Sequence, residues 1–247
     1  NFENYAAQSG RAVIHLDKRM YDRIENNIAQ ILMTGTYTST NIGNTPVEIQ
    51  AFPFTSYTPG TLFDNLSGSS PLQYIRKLVP KLELGRSVSF SKGFILCSKP
   101  TLNLVLNNTN ANDFFGRRAD YGATFNSVTD LNDFMASNDL PKFRTYDEGY
   151  YSDPPSGSPT FNRFLTNGKM VMVGVRTDGE QVGEDRITRA AQNEGSRADI
   201  WMSVEDKRQV DPFSVFIRQG HNGGAVPFYP EALTCINAAP SSSSEFS

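Results

Sequence analysis

Two acid pairs, Glu184-Asp185 and Glu205-Asp206, are adjacent carboxylates of the kind that could carry acid–base chemistry in this 247-residue chain. Paired carboxylates flanking a scissile bond are the equipment of a glycosidase. Each pair is followed at once by cations, Arg186 in the first case and Lys207-Arg208 in the second. A solvated surface that neutralises its own charge is therefore the expected reading. The serines offer no better nucleophile: there is no Gly-x-Ser-x-Gly elbow, and the Gly/Ser clusters around Ser69 and Ser156 read as loops. His15 and His221 have no histidine or carboxylate neighbours at metal-ligand spacing. Cys97 and Cys235 each lie in an apolar run without a Cys-x-x-Cys partner, which predicts two buried, reduced thiols. No Walker loop or strand-following Gly-x-Gly-x-x-Gly is present to cradle a phosphate. The expectation is a protein with no catalytic residue, no cofactor and no metal.

The charge that fails as chemistry is dense enough to serve as a contact. Between Glu184 and Arg218 there are seven acidic and six basic residues, with opposite signs side by side. Complementary charge spread over a wide surface sets the register between copies in an assembly. The candidate interface residues are Glu184, Asp185, Arg186, Arg189, Arg197, Glu205, Asp206, Lys207 and Arg208. The whole chain carries 23 basic and 26 acidic side chains, a formal charge of -3, and so neither draws nucleic acid in nor strongly repels it. No apolar run approaches the roughly 18 residues of a membrane span, and the first residues lack the plan of a signal peptide. A soluble chain folded inside the cell, with no membrane partner, is expected.

Elements must position that surface. From Asp17 to Met33, Met20, Ile24, Ile28, Ile31 and Leu32 recur at three- and four-residue steps, which predicts an amphipathic helix with Ile24 and Ile28 turned inward. Thr34-Gly35 ends it, and "PVEIQAF" alternates as a strand. Residues 55–70 read as a long loop. Pro71 to Leu84 predicts a second helix, broken or restarted at Pro80, followed by the short buried strand "GFILCS". Ser98 as N-cap with Pro100 in the first turn predicts a third helix with Leu102, Val105 and Leu106 on one face. A loop over 107–124, a helix over 128–135 and a long turn at "DPPSGSP" follow. Asn167-Gly168 supplies a tight turn into Met170–Val175, a strand covered on both faces. "DIWMSV", "DPFSVFIR" and "EALTCIN" are further strands, and "PSSSSEFS" is a tail.

This order resembles the major capsid proteins of tailed bacteriophages, with their Hong Kong 97-type fold, and within them the lambda-like E family. "YDRIENNIAQILMTGTYT" followed by "PVEIQAF" is similar to the end of the spine helix, its glycine stop and the next strand. "GFILCSKPTLNLVLNN" is similar to the strand and helix that open the axial domain, and "FLTNGKMVMVGV" to the loop and strand that re-enter the peripheral domain. "DPFSVFIRQGHNGGAVPFYPEALTCINA" resembles the family's ending and is the most specific block. Family members carry an N-terminal arm and an extended loop before the spine helix, whereas only Asn1 to Leu16 precede the predicted helix here; either those pieces are missing from this chain or it is a divergent member that assembles differently.

The resemblance implies an α+β subunit with a peripheral domain (spine helix plus long β-sheet) over 1–54 and 160–220. An axial domain (mixed sheet with flanking helices) covers 55–159 and 221–247. It implies self-assembly into hexamers and pentamers of an icosahedral virion capsid, assembled in the host cytoplasm around double-stranded DNA that is not read by sequence. Portal, scaffolding and decoration proteins would be its partners. Two rival readings are an encapsulin-like protein cage, told apart by what the shell contains, and a β-rich hydrolase or glycan-binding module. The latter would use Tyr121, Tyr146, Tyr150, Tyr151 or Trp201 as stacking platforms.

Overall fold

The computed structural model of the chain describes residues 2–40, 46–50, 52–110, 127–152, 158–179, 183–187, 201–206, 215–220, 223–243 and 246. Helix α1 runs from Phe2 to Thr34, well ahead of the expected start at Asp17. Its apolar period continues backward through Leu16 and Val13. Gly10 does not interrupt it: the site is open space, so glycine costs only its intrinsic ~1 kcal/mol of helix propensity. Ile24 and Ile28 are half-buried rather than buried, and full burial falls on Met20, Ala29, Ile31 and Met33. The stop is as expected. Gly35 sits at φ +74° and donates its N–H to Ile31 O at 2.8 Å, and a Cβ there would lie 2.4 Å from that of Phe54.

Strands β1 (Thr36–Thr40) and β2 (Pro46–Gln50) form an antiparallel pair, Thr36 opposite Gln50. The sequence reading had β2 but not β1. After the short strand β3 (Ser56–Tyr57), helix α2 covers Pro71–Glu83 without a break. Proline inside a helix forfeits a hydrogen bond and crowds the preceding turn, at about 3 kcal/mol. Leu78, Val79 and Leu82 on either side of Pro80 are 2–5% exposed, and their burial holds the helix through it. Strand β4 (Val88–Cys97) is longer than foreseen, and α3 (Lys99–Leu106) begins where Ser98 and Pro100 predict. Helix α4 (Val128–Ser137) is capped by Ser127, whose Oγ accepts from Asp130 N–H at 3.1 Å.

The remaining elements are β5 (Lys142–Thr145), β6 (Gly149–Ser152), β7 (Thr160–Arg163), β8 (Lys169–Arg176), β9 (Gly183–Ile187), β10 (Trp201–Asp206), β11 (Val215–Gly220), β12 (Gly223–Pro227), a 3-10 turn at Pro230–Ala232 and β13 (Leu233–Asn237). Five strands form one mixed sheet in the order β3-β13-β8-β4-β5. β6 pairs with β7, β10 with β11, and β9 with β12, each as a two-stranded ribbon.

Side chains leave the two faces of the five-stranded sheet into two cores. Ile95 and Cys97 of β4, Met170 and Met172 of β8, Ile236 of β13 and Phe143 of β5 join the large cluster that includes Leu72, Ile75, Leu102, Val105, Leu131 and Met135 of the helices. Val171 and Cys235 pack on the other face with Ala29, Met33, Phe164 and Leu165. β8 is therefore covered on both sides at Met170–Met172, as its unbroken apolar run predicts, while Val175 at its end is exposed.

By contacts between residues the chain divides into two compact units. One comprises Asn1–Ile28 with Glu184–Val226 and contains β10, β11 and most of β9 and β12. The other comprises Ala29–Gly183 with Pro227–Ser247 and contains the five-stranded sheet. Both are discontinuous in sequence. Within the second unit β8 pairs with β4 and β13.

Candidate functional surface

The buried polar groups in the sheet unit hold structure together. Gly168, at φ +84°, lies so close to the chain end that a Cβ would fall 2.0 Å from Ala239 O. Its N–H donates to Thr101 Oγ1 at 2.8 Å, and its carbonyl accepts from Ala238 N–H at 2.8 Å. Ser98 Oγ contacts Thr101 Oγ1 and donates to Asn167 Oδ1, both at 2.8 Å. Ser98 thus serves the Asn167-Gly168 turn with its side chain, instead of capping α3 with it. Asn108 and Asn110 do similar work, donating to Ser69 Oγ at 2.8 Å and to the carbonyls of Ser67 and Ser69.

The thiols behave as sequence predicts: both cysteines are free and buried. Burial, with the Asp147 charge adding to it, pushes Cys97 up to about 12. Burial pushes Cys235 up to about 11, although Lys169 and a hydrogen bond involving Met170 act against it. Neither is a thiolate at neutral pH, so neither is an activated nucleophile. They flank β8 in opposite senses, Cys97 across from Met170 and Cys235 across from Val171, and so belong to opposite faces of the sheet. Two strand spacings separate them, roughly 9–10 Å, beyond the reach of a disulfide.

Among the described residues no group of three or more His, Cys, Asp or Glu could hold a metal ion, and His15 is exposed. His221 lies outside the described residues. An open cleft of about 220 Å³ at the start of α2 is lined by Phe63, Ser69, Ser70, Gln73, Tyr74 and Lys77 among others. That is below the roughly 300–1,000 Å³ of a small-molecule pocket. No helix among the described residues is long and apolar enough to cross a membrane.

The charged candidate residues divide into those the strands carry and those beyond them. Glu184, Asp185 and Arg186 lie on β9, and Glu205 and Asp206 end β10. Arg189, Arg197, Lys207 and Arg208 lie outside the described residues. The β10–β11 register sets Trp201 opposite Gly220, Ser203 opposite Arg218, Glu205 opposite Phe216 and Asp206 opposite Val215.

The aromatic candidates also separate. Tyr146 and Tyr150 stack on Phe164, with ring centroids at 6.4 and 5.9 Å, and are committed to the second core. Tyr151 is 69% exposed and meets Phe161 across the β6–β7 ribbon at 5.3 Å. Arg163 lies over the Phe161 ring, 5.8 Å from its centroid, and also pairs with Asp147 at 3.4 Å. Tyr121 lies outside the described residues, and Trp201 opens β10. Phe161, the exposed partner of Tyr151, was missed by sequence reasoning. The turn "DPPSGSP" between two short aromatic-bearing runs was the signal for it.

Comparison with known proteins rests on shape. No protein-family profile matches the sequence. No curated protein matches it either. The fold is similar to that of "the putative capsid protein of prophage" from Escherichia coli CFT073, with a TM-score of 0.53 at 13% identity over 88% of this chain. The chain shares a phage capsid-like fold. It spans 62% of that prophage protein. A phage-related protein from Bordetella bronchiseptica RB50 aligns over 96% of this chain and 69% of its own, at 9% identity and a TM-score of 0.49. The architecture is mixed α+β, similar to that of the prophage capsid protein.

Proposed function

We propose that this protein is a structural subunit of an icosahedral phage capsid, with the Hong Kong 97-type fold and a lambda-like E relationship. The observation that carries the reading is the capsid-like fold extending over 88% of the chain. The sequence motifs that resemble that family add to it. In this reading the subunits form hexamers and pentamers and close around double-stranded DNA, in a virion assembled in the host cytoplasm. A formal charge of -3 suits a wall that encloses DNA without gripping it. Portal, scaffolding and decoration proteins would complete the particle. A peripheral part over 1–54 and 160–220 and an axial part over 55–159 and 221–247 belong to the same proposal. So does a contact role for Glu184, Asp185, Arg186, Arg189, Arg197, Glu205, Asp206, Lys207 and Arg208. The protein performs no turnover in this role.

Electron microscopy of the purified protein tests the reading, together with sedimentation across protein and salt concentrations. Closed shells or ring-shaped capsomers are the expected result. A monomer under all conditions, or a monomer that binds sugar, would overturn it. Shells that contain enzymes instead of genome would move the protein to the encapsulin-like alternative.

A further inference from the structure

Among the described residues, the β6–β7 ribbon has an outer strand edge that no other strand pairs with. Phe164 N–H donates to Glu148 O at 3.0 Å, which fixes the phase of the antiparallel ladder below it. Tyr150 opposite Asn162 and Ser152 opposite Thr160 are then the hydrogen-bonded pairs, whereas Gly149–Arg163 and Tyr151–Phe161 are the non-hydrogen-bonded ones. The N–H and C=O groups of Phe161 and Arg163 consequently point away from β6, along the outer edge of β7. Thr160, Phe161 and Arg163 are exposed, and Tyr151 and Phe161 form an aromatic face on the same side as Arg163.

We propose that this edge pairs with the same edge of a second copy of the chain, antiparallel about a two-fold axis through Asn162. The sequence of β7 is complementary to itself in that register. Phe161 of one copy falls directly opposite Arg163 of the other, twice, and each such pair exchanges both outward N–H···O=C bonds. Each guanidinium then meets an aromatic ring across the axis, as it already does within one chain. The neighbouring registers are poorer. Centring on Phe161 places Arg163 opposite Pro159, which has no N–H, and centring on Arg163 sets like charges face to face. The β6 edge offers Gly149 beside Tyr151, and a glycine there weakens any added strand. The contact is independent of shell formation, and its failure would leave the capsid reading standing.

Cysteine cross-linking of the purified protein decides it. At the axis the two Asn162 Cα atoms would be roughly 4.5 Å apart, within the span of a disulfide. Asn162→Cys should give a disulfide-linked dimer under mild oxidation. Tyr151→Cys, more exposed but on the other strand, should stay monomeric. Adding Phe161→Pro, which removes one outward N–H and no bond of the β6–β7 ladder, should abolish the dimer. Arg163→Glu, which keeps every backbone donor, should reduce it. Failure of Asn162→Cys to dimerise overturns the proposal whether or not the thiol reacts with a maleimide. Equal dimer from Tyr151→Cys, or dimer undiminished by both second-site changes, also overturns it.

Discussion

Two strand edges in the same unit have opposite fates. β5 is the last strand of the five-stranded sheet, and Asn132 of α4 closes its open side. The Asn132 Nδ2 donates to Phe143 O at 2.9 Å, and Asn132 Oδ1 accepts from Phe143 N–H at 2.6 Å. One side-chain amide stands in for the next strand, and no further chain can add there. The opposite margin is merely short: β3 has two residues, and the chain around it is tied to its neighbour β13 by Thr234 Oγ1 donating to Thr55 O at 2.8 Å and Asn237 Nδ2 donating to Thr58 Oγ1 at 3.0 Å. Among the described residues β7 has no such guard, and its asparagine, Asn162, donates to Thr160 O at 3.0 Å on its own strand. The difference teaches that edge protection here is local and selective. The sheet with the core is sealed at β5, and a two-stranded ribbon that is marginal by itself is left able to gain a partner.

The sealed edge breaks most severely from inside. Phe143 is 2% exposed and belongs to the larger core. Phe143→Ala should cost about 3–5 kcal/mol, because a cavity opens next to atoms already in tight contact. Denaturant unfolding monitored by circular dichroism would measure it. A loss below ~1 kcal/mol would mean the edge strand contributes little to the fold. An intermediate loss belongs to Asn132→Leu, which keeps the bulk and removes both bonds. It should cost about 1–3 kcal/mol and raise the tendency to aggregate, since the β5 edge becomes a template for another strand. Static light scattering during refolding would separate that edge effect from simple destabilisation.

What the sequence disclosed of this contrast follows from how far each signal extends along the chain. β8 was legible from its unbroken apolar run and α2 from its 13-residue length, and the Gly35 and Gly168 turns because only glycine takes φ near +74° and +84° at such close quarters. β5, β6 and β7 have four residues each and carry no signal of their own in the sequence, since a period of two barely repeats over that length. β5 also pairs in parallel with β4, from which α3 and α4 separate it in sequence. Asn132 looked like an ordinary polar position on a helix, and nothing local announces that its amide meets a strand. The candidate charges were visible as composition, but a contact between copies is a property of two chains.

The thiols test the sealed sheet by pH. Both remain protonated in the folded state, with Cys97 raised to about 12 and Cys235 to about 11 from 9.0. Below the unfolded value the two states bind the same protons and stability is complete. As pH rises past 9 the unfolded thiols ionise while the folded ones do not, and each removes about 1.4 kcal/mol per pH unit until its folded value is reached. Stability should therefore fall between about pH 9 and pH 11, and the decline should be shallower in a Cys97→Ala, Cys235→Ala double variant. Parallel pH profiles for the two proteins would show that solvent already reaches the thiols.

The smallest expected change in subunit stability comes from the charged ribbons. Reversing Arg186 and Arg189 to Glu leaves the five-stranded sheet untouched, and an exposed ion pair is worth only about 0–1 kcal/mol. Melting of the unassembled subunit should stay nearly constant. Shell yield responds differently if these side chains pair between copies, because a closed particle repeats each small contact many times. Salt discriminates further, since charges at an accessible contact are screened within about 8–10 Å. Wild-type shells should weaken as salt rises, while the reversed protein should assemble poorly even at low salt, where like charges now repel. Loss of shells with unchanged subunit melting would assign Glu184–Arg186 and its neighbours to a contact between copies. Equal loss of both would make them part of the subunit's own fold, and shells unaffected at every salt concentration would return them to ordinary solvated surface. The last outcome would leave the open β7 edge as the remaining candidate for joining copies.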